Sequence, residues 1–221
     1  MIKLLVVAAA LVVCTGIVVG QQARDLGLRG KRFRPLTAAE LTPPQRSMVD
    51  DLLAGKRKSL DGPFNVFLRS PEVGNLAQRV GEYVRFRTSI PPRLNEMAIL
   101  MTARWWASQY EWHAHKPLAQ TAGLSNDIID ALQAGKRPAR MQPDETAVYD
   151  FCTELRETRR VSERAFAAAV KTLGENGVMD LIANMGYYDM VSMALNVDGY
   201  PLPDGAPLPF PESGAGGRSP E

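Results

Sequence analysis

The chain has 221 residues, enough for one well-filled core, and a formal net charge of +2 with its basic residues scattered rather than clustered. That balance gives no electrostatic case for a nucleic-acid partner. One of the two cysteines, Cys14, falls in an apolar leader, so Cys152 stands alone and both an internal disulfide framework and a Cys-x-x-Cys redox site are excluded.

The leader, residues 1–20, places Lys3 before the run LLVVAAALVVCTGIVVG. A short positive region followed by a long apolar region has the form of a secretory signal peptide. Val18 and Gly20 are small enough to precede a cut before Gln21. The expected location is periplasmic or secreted, with membrane attachment only if the leader is retained. Residues 21–41 are polar and basic without periodicity and are expected to form a flexible arm.

Thr42-Pro43-Pro44 has the chemistry of a helix start, with Gly55 as its end and residues 56–67 as a loop. After Ser70-Pro71-Glu72, a second helix carries Val73, Leu76, Ala77, Val80, Tyr83 and Val84 at helical spacing, and that stripe is expected to face the core. Pro91-Pro92 opens a third helix that is apolar nearly all round and therefore buried. A fourth runs from Ser108 to Gly123, and a short fifth is capped by Ser125. Further helices are expected over 144–158, 162–174 and 177–197. No useful period-2 segment occurs, so the fold class is all-α, a bundle of helical hairpins over residues 42–198. Residues 199–221 form a Pro/Gly-rich tail unsuited to helix or core.

The chemistry concentrates in Pro91–Gly123. Glu96 sits one turn into the apolar third helix, where an ionised carboxylate needs a partner or a raised pKa unless it faces solvent at the helix start. Ser108 and Glu111 have the spacing of a capping box. Glu111 and His115 also lie four apart, so they share a helix face and can hold a proton between them near neutral pH. Trp105 and Trp112 could wall such a site. His113 and His115 point in different directions on a helix, and the spacing does not favour a metal. Arg104 is placed to grip a carboxylate or to form an ion pair, and Asn184, Tyr187, Tyr188 and Asn196 are pocket candidates on the last helix.

Arg93-Leu-Asn-Glu96-Met-Ala-Ile-Leu100, then Tyr110-Glu-Trp-x-x-His115, then Gly123-Leu-Ser resembles the carboxymuconolactone decarboxylase family, which shares the alkyl hydroperoxidase D fold. In that fold's thiol-bearing branch, cysteines stand where this chain has Ser108 and Glu111, so the resemblance does not carry thiol-dependent peroxide reduction here. It implies instead the cofactor-free decarboxylase branch, acting on a carboxylated unsaturated lactone or a related acid. Glu96, Glu111 and His115 would be catalytic, with His115 as the general acid. Arg104, Trp112, Asn184 and Tyr188 would bind substrate. A homo-oligomer, trimeric or hexameric, is likewise implied. A leader on such a chain suggests a substrate other than the usual cytoplasmic lactone. The alternatives are a non-catalytic exported protein that binds a small acid or a partner, and a redox protein using Cys152.

Overall fold

The structure, a computed structural model, describes residues 25–211. The expected signal peptide and the tail beyond residue 211 lie outside them. Among the described residues the chain is all-α, with no strand. The helices are α1 (Pro43–Ala54), α2 (Phe64–Phe67), α3 (Pro71–Phe86), α4 (Pro92–Trp105), α5 (Gln109–Thr121), α6 (Asn126–Gln133), α7 (Pro143–Thr158) and α8 (Glu163–Asp198). Gly174, at φ 72° and ψ 171°, breaks α8 between the two helices expected there. The left-handed region costs glycine nothing, so the break falls where the sequence places it.

α4 is the central element and packs against α5, α6, α7 and α8. Its all-round apolarity has a direct cause. Ile99 joins a cluster with α1, α2, α3 and α8. Leu94 and Ala98 join a second cluster with α7 and α8. Met97, Leu100 and Ala103 join a third with α5 and α6. Each large side chain buried in this way stabilises the fold by about 1.5–3 kcal/mol. Two polar anchors set the entry to α4. Asp180 on α8 accepts hydrogen bonds from Thr88 Oγ1, Ser89 N and Ser89 Oγ. Arg93 pairs with Asp144 and Glu145 on α7.

Four expectations are corrected. On α3, Val73, Leu76 and Val80 face outward at 59%, 63% and 45% exposure. The buried face is Gly74, Ala77, Gln78, Gly81 and Val84. The reason is steric: a Cβ on Gly81 would lie 2.2 Å from the Tyr187 hydroxyl, and one on Gly74 would lie 2.5 Å from the Phe67 carbonyl. The small face allows the close approach of α3 to its neighbours, and the large apolar face is left outside. The arm, from residue 25, is tied down rather than loose. Lys31 N and Arg32 N donate to the Asp198 carbonyl, and Arg32 N and Phe33 N donate to its carboxylate. The tail contributes to the core after all. Phe210 is buried against Trp112, and Tyr200 packs against Tyr110 with the rings tilted and their centroids 4.4 Å apart. Residues 64–67, expected as loop, form the short α2, whose Phe64 and Phe67 are buried.

Candidate active site

The α4–α5 turn builds the site. Ala107 takes a left-handed φ of 46°, its N–H donates to the Arg104 carbonyl, and Ser108 N–H donates to the Ala103 carbonyl. This is the hydrogen-bond pattern that closes a helix with a left-handed residue just beyond its end. It turns the chain sharply and lays α5 back along α4. Glu96 on α4 then meets His115 on α5.

His115 is held from both sides. Its Nδ1 lies 2.7 Å from Glu96 Oε2, and its Nε2 lies 3.0 Å from Glu111 Oε1. All three side chains are buried or nearly so. Burial alone pulls the imidazole pKa down, but the two carboxylates together outweigh it and raise the value to about 9. The imidazole is therefore protonated at neutral pH, with a glutamate side chain on each side. Tyr188 packs edge-on against the His115 ring at a centroid distance of 5.1 Å. Its hydroxyl is buried without a hydrogen-bond partner. Burial, and then the Glu111 carboxylate, push the Tyr188 pKa well up, so this hydroxyl is a neutral donor.

The capping box does not form at the start of α5: Ser108 makes no cap hydrogen bond, and its Oγ is buried without a partner. Glu111 is turned to His115 instead. Of the pocket residues the sequence offered, Tyr187 and Tyr188 line the cavity beside Glu111 and His115. Trp112 lies elsewhere, in the cluster with Phe210. Asn184 is buried and donates to Asn95 Oδ1. Arg104 donates through Nε to the Gln133 carbonyl, and its guanidinium lies 5.2 Å from the Phe210 ring centroid. Trp105 is 55% exposed and Asn196 donates to the Trp106 carbonyl, so neither walls the site.

The cavity over Glu111 and His115 measures about 400 Å³, within the range of small-molecule sites. Its cationic wall comes from outside Pro91–Gly123. Lys56, Arg57 and Lys58 enter from the loop after α1, and Arg85 from α3. The loop is fixed at its far end, where Gly62 N–H donates to the Tyr200 hydroxyl at 3.1 Å. The signal available in the sequence was the run Lys56-Arg57-Lys58 itself, but nothing local showed which way it faces. Cys152 is buried among α4, α7 and α8 and does not line this cavity, and burial pushes its thiol up to about 12. Such a thiol is not a nucleophile at neutral pH.

No family model matches the chain, and no curated protein matches it.

Proposed function

We propose that the protein is a proton-transfer enzyme of the carboxy-lyase type, acting on a carboxylated unsaturated lactone or a related unsaturated acid. The observation that supports this reading best is the buried Glu96–His115–Glu111 array opening onto a cationic cavity. Both imidazole nitrogens are occupied by carboxylates, so Glu111 is the group of the three best placed to hand a proton to the ligand. His115 supplies that proton, and Glu96 fixes the orientation of the ring and balances its charge.

In the proposed reaction, the bond between the substrate carboxylate and its ring carbon breaks, and CO2 leaves. The bonding pair moves through the conjugated system onto the carbonyl oxygen as an enolate. The Tyr188 hydroxyl donates a hydrogen bond to that oxygen. The proton shared by His115 Nε2 and Glu111 is delivered to carbon, and the carbonyl reforms. Solvent then returns one proton to His115. The resemblance implies that this chemistry uses no cofactor. The same reading carries export of the mature chain and assembly into a homo-oligomer, for which the outward Val73, Leu76 and Val80 offer an apolar surface.

The test is loss of ultraviolet absorbance when purified protein is given a panel of unsaturated carboxylated lactones and keto acids, with CO2 release measured in parallel. Turnover by the wild type and its loss in Glu111→Gln are expected. Wild-type turnover that persists in both Glu111→Gln and His115→Gln removes this site from the mechanism.

A further inference from the structure

Three cations converge on one aromatic ring at the mouth of the cavity. Lys56 Nζ lies 5.8 Å from the Phe86 ring centroid, Arg57 Cζ 5.9 Å and Arg85 Cζ 5.3 Å. Arg57 also faces Phe64, at 5.3 Å. Lys58 stands beside them and donates only to the Gly55 carbonyl. Among the described ion pairs, none joins any of these four to a carboxylate. Arg57 Nε is moreover buried without a hydrogen-bond partner. Like charges gathered around one ring repel, and a buried guanidinium N–H without an acceptor carries a desolvation cost. A ligand anion relieves both.

The interior end of the same cavity has the opposite character. Glu111 presents a carboxylate there, and Glu96 stands behind His115. An anion entering alone would be repelled by that end and attracted by the mouth. The charge of Arg85 reaches inward, since it lowers the pKa of both Tyr187 and Tyr188 against the larger upward effect of burial. The cavity therefore has a cationic mouth and a proton-donating floor, with aromatic side chains between them.

We propose that Arg57 and Arg85, with Lys56 and Lys58 at the rim, form a carboxylate subsite that selects ligands bearing a second carboxylate remote from the reacting carbon. This rests on the reading of Glu111 and His115 as the reacting end. Guanidinium groups match carboxylates bidentately, and the flat faces of Phe86 and Phe64 hold them in place. The specificity-determining residues thus lie on the α1–α2 loop and on α3, away from the α4–α5 hairpin that holds the proton-transfer residues.

Calorimetric titration with unreactive planar acids tests the subsite without requiring turnover. Benzene-1,3-dicarboxylate is expected to bind about 10-fold more tightly than benzoate, with the preference shrinking as salt is raised. Arg85→Gln removes that preference, weakening the dicarboxylate by about 10-fold more than it weakens benzoate. Lys56→Gln/Lys58→Gln, which alters only exposed side chains, reduces the preference and leaves the melting temperature unchanged. Equal affinities for the two acids in the wild type overturn the proposal, as does an intact preference in both variants. A protein that prefers the dicarboxylate yet decarboxylates nothing keeps this subsite and sinks the lyase reading; turnover without the preference does the reverse.

Discussion

Two basic cavities differ in what their cations are already doing. The first, over His115, is lined by Lys56, Arg57, Lys58 and Arg85, which have no carboxylate partner among the described ion pairs. The second, of about 290 Å³, is lined by Arg104, Lys136 and Arg156 with Trp105 and Tyr149. Its arginines are engaged by the protein, with Arg156 alone among its cations holding a carboxylate among the described ion pairs. Arg156 pairs with Asp189 at 2.9 Å and donates to Thr102 Oγ1 at 2.7 Å, and Arg104 donates to the Gln133 carbonyl at 3.0 Å. The second cavity has no buried imidazole at its base. A cluster of positive charge is therefore a poor guide to a site on its own; the partners of each cation decide whether it is free for a ligand.

Exchanging side chains between the two regions puts this contrast at risk. The largest effect is on turnover. Glu111→Gln or His115→Gln is expected to lower kcat/KM by about 10²–10⁴-fold on any substrate the protein accepts, whereas Arg104→Gln changes it by less than about 3-fold. Steady-state kinetics on the three variants decides, and an Arg104→Gln loss equal to the others would merge the two cavities into one functional unit.

Stability separates the regions next. His115→Ala leaves two buried carboxylates without their cation and is expected to cost about 3–5 kcal/mol at pH 7 in urea unfolding. The pH dependence follows from the same charge. The folded value of about 9 lies above the ordinary histidine value of 6.5, so the native state holds the proton more tightly than the unfolded chain. The stabilisation is complete below about pH 6.5 and is lost as pH rises through about 9. Melting temperatures across pH 6–10 should fall in the wild type and stay flatter in His115→Gln.

Arg156→Met is expected to cost about 1–3 kcal/mol by removing a buried charge-assisted pair, with turnover retained. The smallest effect concerns the turn between α4 and α5. Ala107 holds a left-handed conformation that penalises a Cβ, so Ala107→Gly is expected to stabilise the fold by up to about 1 kcal/mol. A destabilised Ala107→Gly would mean that chain entropy outweighs the relief of that strain.

Much of the architecture could be read from local chemistry. Prolines at 43, 71, 92 and 143 occupy first helical positions, and Gly123 and Gly199 follow helix ends in the left-handed conformation. The spacing of Glu111 and His115 put them on one face because helical geometry is local. Other features were not legible for equally physical reasons. The α3 stripe of Val73, Leu76 and Val80 gave the wrong buried face, since hydrophobic period reports apolarity and not the clearance needed for Gly81 to pass Tyr187. Arg104 looked like a substrate clamp because its azimuth matches Glu96, but the Gln133 carbonyl, 29 residues away in sequence, claims it. The arm looked loose because its acceptor, Asp198, comes at the far end of α8.

The sequence by itself determined the longer helices, most of their ends, and the shared helix face of Glu111 and His115, all set by interactions within a turn or two of chain. Only the tertiary structure decided that Glu96 closes the array from a second helix and that the cationic wall comes from the α1–α2 loop and α3. It also decided that Trp112 belongs to the core with Phe210. Those outcomes depend on distance-dependent electrostatics and close packing between segments far apart in the chain, and no local pattern encodes which segments meet.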